Sequence, residues 1–429
     1  MEGYIFYLTL PDCLTLDIDL SPEAREALRE AASNIRLGLL SLVIPTALLY
    51  FALYALVKKN LKLFRLLDWL AVYTFYLSSA MVVLKCAAIR SLQLFAVAIG
   101  VMKALDFYTR INSPPKYAYP NPPSDAVIAL LYLTELRYES FTPNFLHTAP
   151  GQVQIVEERD EDSLSQSSSS SSSSSAERKT RRRRKFAGST RRNPIKPSSK
   201  DKTDKKDQPP PAKHFFFDLS LPESVDLILH AGVFLILQSF CPQSNPTVIA
   251  LQVLLAIYVI WETLQLFLRY KSSPPLFGPI YAASSLGYFW SETWHTAFAS
   301  PCRSLAYDPL RRYLPARYGL PESFAKAIGI IASFSLMGLF HAYALAPLLS
   351  FEGVLRISGF FLLNGIGTVI ESSVWGKRAH WGKALLAWVF ELIIATWTVE
   401  GLSVPKGLKN VSWKSVCDVG KDAEMTKIV

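Results

Sequence analysis

The run AKAIGIIASFSLMGLFHAYAL, residues 325–345, decides what kind of chain this is. It is long enough to cross a bilayer core, which takes about 20 apolar residues, and near its far end it carries a histidine, His341. Hydrocarbon penalises ionisable side chains, so one kept inside a span marks a functional path by default. An apolar setting disfavours the imidazolium and leaves a neutral ring that takes a proton near neutral pH, as a general base requires. The competing reading is a packing histidine donating one hydrogen bond to a neighbouring helix, the role assigned to His230 in LHAG, residues 229–232. A second histidine, His295, lies upstream in the aromatic segment YFWSETWHTAF, residues 288–298.

The rest of the chain repeats the membrane signature. Of 429 residues, 50% are hydrophobic and 19% charged, and the mean hydropathy is +0.21, which excludes an ordinary soluble protein. Apolar runs fall at residues 37–57, 66–84, 87–105, 225–240, 247–268, 324–349, 354–370 and 384–399. They are continuous and rich in Leu, Ala and Ile, whereas barrel strands are short and alternate apolar with polar residues. The expected fold is an all-α polytopic membrane bundle of about eight transmembrane helices. The first run starts after the mixed charges of residues 23–29 and no small-residue cleavage site follows it, so it is expected to stay as a signal anchor.

Composition divides the chain into an N-terminal membrane region, 1–150, a hydrophilic linker, 151–213, and a C-terminal membrane region, 214–429. The linker is acidic at 157–162, pure serine at 167–175, basic at 181–185 and Pro-rich at 209–211, and it reads as disordered. Its basic run fits anionic lipid headgroups or, more plainly, a solvated insertion that fixes topology. Much of the +10 net charge sits there without interleaved aromatics, so no nucleic-acid partner is expected. Lys58, Lys59, Lys62 and Arg65 mark the first connection as cytosolic, and the linker, Arg269 to Lys326, and Lys377, Arg378 and Lys383 follow on that side. An eighth crossing then sends the tail from Lys406 to the lumen against the charge bias, although Asn410 in Asn-Val-Ser is a glycosylation acceptor that suits a luminal end. The cysteines Cys13, Cys86, Cys241, Cys302 and Cys417 are odd in number and scattered, so neither a metal site nor a disulfide framework is expected.

The stretch from Tyr270 to Glu322 is long for a membrane connection and half apolar. On a helix, Trp290, Trp294 and Phe298 form one stripe suited to the headgroup layer, with Ser291 and His295 on an adjacent stripe that aims the histidine along the membrane surface. The alternative is an aromatic anchor with an incidental histidine. Arg303, Arg311, Arg312, Arg317 and Lys326 follow near the mouth of the next span. Arginines there suit the phosphates of an anionic co-substrate, and equally the positive-inside pattern. His341 lies about 22 Å along a helix from Lys326, so it needs a polar tunnel.

With FWSETWH at 289–295, the Arg- and Pro-rich loop after it and FHAY at 340–343, the chain resembles the wax synthase-like branch of the membrane-bound O-acyltransferase superfamily, especially its fungal members. LTELRYESF, 133–141, is also similar to a short arginine-containing motif that precedes a variable insertion in fungal relatives. The chain departs from the family where Glu292 and Thr293 replace a frequent basic pair. The resemblance implies transfer of an acyl group from acyl-CoA to a lipophilic alcohol in the endoplasmic reticulum membrane, with His341 as catalytic base and His295 as second active-site residue. Arg311, Arg312, Arg317, Trp290 and Trp294 are the candidates for holding acyl-CoA. No metal or permanently bound cofactor is expected; membrane lipid is a partner and the oligomeric state is open. By analogy the acyl group is expected to be acetyl or another short chain and the alcohol a terpenoid or polyketide secondary metabolite, with long-chain wax or neutral ester synthesis as the alternative. A transporter would also explain intramembrane histidines, but it predicts paired repeats that the unequal division of spans does not offer. A scaffold acting through the Ser/Arg linker would need the linker and not His341.

Overall fold

The computed structural model describes residues 22–82, 84–142, 222–242, 244–268, 276–376, 380–402 and 417. The Ser/Arg linker, Arg269, Lys377, Arg378, the tail lysines from Lys406 and Asn410 lie outside the described residues.

Helices dominate. The N-terminal portion holds α1 (Pro22–Val57), α2 (Leu61–Met81), α3 (Ala87–Thr109) and α4 (Asp125–Thr134), with a minimal antiparallel pair, β1 (Lys116–Tyr117) and β2 (Phe141–Thr142). After the linker come α5 (Glu223–Phe240) and α6 (Pro246–Leu268), then the short α7 (Leu286–Tyr288), α8 (Ala299–Cys302) and α9 (Asp308–Tyr318). The long α10 (Glu322–Leu345), α11 (Phe351–Trp375) and α12 (Trp381–Glu400) complete the bundle. Local chemistry sets several ends. Asn60 caps α2 by accepting from Leu63 N at 3.2 Å, Ser350 caps α11 through Gly353 N at 3.1 Å, and α9 stops where Gly319 takes a left-handed φ of 64°.

All eight expected segments are helical, and the all-α polytopic architecture is the one observed. Seven helices among the described residues are long and apolar enough to cross a membrane. The exception, α2, carries Lys62, Arg65 and Asp68. Asp68 is turned inward at 1% exposure, while Leu66, Trp69, Tyr73 and Tyr76 point out of the bundle. An outward apolar face is what lipid contact requires.

Helices from both sides of the linker pack as one unit: α1 against α2, α3 and α4; α3 against α10; then α10 on α11, α11 on α12, α12 on α6 and α6 on α5. Ser91 Oγ of α3 donates to the Ala344 carbonyl at the end of α10 at 2.8 Å, which ties the first portion to the helix carrying His341. Small residues let α10 and α11 close up: a Cβ on Gly365 would lie 2.9 Å from Phe334 Cβ, and one on Gly338 would lie 3.3 Å from the Ser358 carbonyl.

One sequence expectation is overturned. Cys86 and Cys417, 331 residues apart, form a disulfide. Scatter along the chain says nothing about pairing once a bundle brings distant turns together, and the bridge joins the connection before α3 to the C-terminal tail. Six of the seven apolar helices lie between the two cysteines. An even number of crossings returns the chain to the same face, so a bridge there is topologically consistent, and disulfides persist on the oxidising side of a membrane. The charge-based expectation puts both cysteines on the luminal face. In thiol labelling of denatured, unreduced protein, Cys86→Ser should expose one additional thiol, at Cys417, and reduction should expose both in the parent; equal labelling before and after reduction would remove the bridge.

Candidate active site

The aromatic segment is folded inward instead of lying along a surface. Glu371 of α11 accepts from Leu286 N at 2.7 Å and Gly287 N at 3.3 Å, and Ser285 Oγ accepts from Tyr288 N at 2.9 Å, which starts α7. The helix widens into a π-turn over Phe289–Thr293, closed by Trp294 N to the Phe289 carbonyl at 2.7 Å, and Trp294 itself is extended. The expected stripe of Trp290, Trp294 and Phe298 on one surface helix is therefore not formed, nor the adjacent one of Ser291 and His295. Gly278 lies against the turn, its amide on the Thr293 carbonyl at 3.0 Å; a Cβ there would meet the Glu292 carbonyl oxygen at 2.8 Å. The headgroup reading of the tryptophans fails for the same reason. Trp294 is 6% exposed and stacks on Phe289 at 5.5 Å. Trp290 donates Nε1–H to Asn364 Oδ1 at 3.0 Å and packs on Phe334, Phe360 and Phe361. A wide turn accommodates two indoles facing different walls, which the regular α-helical spacing could not.

His341, on α10, is half-buried and held on three sides by rings. It stacks on Phe361 of α11 at 4.4 Å with planes 25° apart, and meets Phe340 at 5.2 Å and Phe95 of α3 at 6.0 Å edge to face. Its Nδ1 is 2.8 Å from the Met337 carbonyl oxygen one turn earlier. A carbonyl only accepts, so the bond places the proton on Nδ1 and leaves a lone pair on Nε2.

His295 sits in the segment between α6 and α10, outside the long apolar helices, among Trp294, Phe277 and Phe298. Phe298 touches Phe340 at 4.9 Å, and Phe340 touches His341, so the two imidazoles flank a shared aromatic pair. The pKa of His295 is lowered from 6.5 to about 4, first by burial and then by the nearness of His341. Its Nδ1 is buried with no hydrogen-bond partner among the described residues. The structure thus brings His295, His341, Trp290 and Trp294 into one neighbourhood.

The arginines are placed elsewhere. Arg311 pairs with Glu322 at 3.1 Å at the start of α10, about 28 Å along that helix from His341. Arg312 and Arg317 are exposed on α9. Such a separation suits only a long co-substrate whose charged end lies far from its reacting bond. His230 bonds within its own helix, Nδ1 to the Asp226 carbonyl at 2.8 Å, and reaches the next one by stacking on Tyr258 at 4.2 Å. Sequence reasoning missed Asn364, fully buried in α11, and the ring walls Phe95 and Phe361. A polar amide inside a span is the same signal that singled out His341; for the phenylalanines no signal exists in so aromatic a chain.

Residues 273–363 match the membrane bound O-acyl transferase family. The match takes in both histidines and ends one residue short of Asn364. A probable long-chain-alcohol O-fatty-acyltransferase 2 of Arabidopsis thaliana is 30% identical over 149 residues, 33% of this chain and 41% of that protein. The long-chain-alcohol O-fatty-acyltransferase of Simmondsia chinensis is 31% identical over 112 residues, 26% of this chain and 31% of its own length. Acetyltransferase ataH of Aspergillus terreus is 32% identical over 139 residues, 31% of this chain and 44% of its own. The chain spans less than half the length of these relatives. No solved structure matches it.

Burial of His295 has a measurable signature. Below about 6.5 the unfolded chain binds a proton on this ring that the folded chain takes up only near 4, so stability falls as pH drops through that window. Melting curves in detergent should show Tm falling from pH 6.5 towards 4, with a shallower slope in His295→Asn; an unaltered slope would mean the ring is hydrated.

Proposed function

We propose that the chain is a membrane-bound O-acyltransferase that moves an acyl group from acyl-CoA to the hydroxyl of a lipophilic alcohol. The observation that carries this reading is the Nδ1 to carbonyl bond of His341, which leaves Nε2 as an acceptor in a greasy, partly open setting. In the reaction Nε2 takes the hydroxyl proton as the alcohol oxygen attacks the thioester carbonyl carbon. The carbon–sulfur bond breaks, the ester forms, and the proton passes to the departing CoA thiolate. Proton transfer of this kind contributes about a hundred- to ten-thousandfold. His295, across the Phe298 and Phe340 pair, orients the acyl donor or hydrogen-bonds the developing oxyanion. The rings around His341 exclude water and so favour an alcohol over hydrolysis.

The acyl group is proposed to be acetyl or similarly short and the acceptor a terpenoid or polyketide alcohol, supported by the likeness to the Aspergillus terreus acetyltransferase. The plant relatives favour a second reading, long-chain ester synthesis. The membrane concerned is proposed to be the endoplasmic reticulum, with CoA phosphates met by Arg311, Arg312 and Arg317 on the cytosolic side and Trp290 and Trp294 lining the route of the thioester.

Membranes given labelled acetyl-CoA or palmitoyl-CoA with mixed alcohols should yield labelled ester, and the donor used separates the two readings. His341→Ala should abolish turnover at unchanged protein level; retained turnover would take the residue out of the mechanism. Joint Arg312→Ala and Arg317→Ala should raise KM for acyl-CoA several-fold with kcat little altered, the mark of a contact made equally in ground and transition states; an unmoved KM would reject the phosphate role.

A further inference from the structure

The segment LTELRYESF, 133–141, is separated from both histidines by the whole linker, yet the fold brings it against the segment that carries His295. Arg137, 4% exposed, donates Nη1–H to Thr296 Oγ1 at 3.3 Å, and Thr296 follows His295 directly. Arg110, at the end of α3, donates Nη2–H to the Ser300 carbonyl at 2.9 Å and to Ser300 Oγ at 2.8 Å. Ser304 Oγ donates to Asp106 Oδ1, and Asp106, fully buried, also pairs with Arg110 Nε at 2.7 Å and accepts from Tyr138 OH at 2.7 Å. Thr296, Ser300 and Ser304 are four residues apart in succession, so three hydroxyls on one side of the segment meet one polar cluster.

The cluster is built for holding. Lys103 is buried and donates to the carbonyls of Tyr132 at 2.5 Å and Glu135 at 2.6 Å. Tyr138 keeps a left-handed φ of 53°, a costly choice for a bulky residue that persists only where its surroundings over-determine it. Its ring centroid is 4.9 Å from Lys103 Nζ and 5.8 Å from Arg110 Cζ. Lys103, Arg110 and Arg137 are balanced by Asp106, Glu135 and Glu139, and Arg137 Nε is already on Glu139 at 2.9 Å. The cluster thus carries three cationic and three carboxylate side chains. Its spare donors go to hydroxyls and a carbonyl beside His295.

We propose that Arg137 and Arg110 are positioning residues that fix His295 opposite His341 by gripping Thr296 and Ser300. The proposal rests on the acyl-transfer reading for its kinetic consequence, and on geometry alone for its structural one. A shift of about 1 Å in a catalytic group costs roughly a hundredfold in rate. Arg137→Gln and Thr296→Val should each lower kcat by about ten- to a hundredfold with KM for acyl-CoA changed less than threefold, and Thr296→Ser should recover most of the loss. Because both variants break one contact, the double variant should be no slower than the worse single one. Diethyl pyrocarbonate, which acylates accessible neutral imidazole, should modify His295 several-fold faster in either variant, as read by peptide mass spectrometry, with His380 as an exposed internal reference. Normal kcat and unchanged His295 labelling in Thr296→Val, which exchanges the hydroxyl for a methyl group of similar size, would overturn the proposal, as would fully multiplicative losses in the double variant. If the parent protein transfers no acyl group but the labelling rises, the acyl-transfer reading fails and the bracket stands.

Discussion

The bond from His341 Nδ1 to the Met337 carbonyl constrains everything around it. A carbonyl one turn back in a helix normally belongs to the backbone ladder, and its second lone pair is free to fix a ring. Because it can only accept, it selects the tautomer and orients the imidazole along α10. Phe361, Phe340 and Phe95 then hold that orientation by contact. These rings are apolar, so shape more than opposing charge holds the imidazole in place.

The walls come from distant parts of the chain. Phe95 arrives on α3, Phe361 and Asn364 on α11, and the tryptophans on a π-turn anchored by Glu371. Glycines at the crossing of α10 and α11 bring the two backbones near enough for Phe361 to stack on His341. The first portion of the chain thus sets Phe95 beside His341 and touches the segment carrying His295 through Arg137 and Arg110.

Much of the fold was legible because hydrocarbon imposes a coarse rule: long apolar runs become helices, and their number and sites followed from composition. His341 was singled out for the same reason, as an ionisable group where such groups are expensive, and the structure places its ring against Phe361, Phe340 and Phe95. The aromatic segment was misread because regular helical spacing was assumed for Trp290, Trp294 and Phe298, and a π-turn inserts an extra residue per turn that no periodicity reveals. The Cys86–Cys417 bridge was missed because pairing depends on which turns meet in space. Arg137 stood in a segment singled out by likeness, but its partner Thr296 is separated from it by the linker and two long helices. The exposed arginines on α9 were easy to pick by type, although their distance from His341 depends on the rigid length of α10.

The bridge between Cys86 and Cys417 also orders the birth of the protein. The second sulfur is synthesised only after α12, so the bridge closes once the long helices between the two cysteines have been made. Until then Cys86 has no partner sulfur, and a bridge between the two needs an oxidising environment. Synthesis of the intervening helices therefore precedes the bond, and oxidation becomes a late step in how this protein matures.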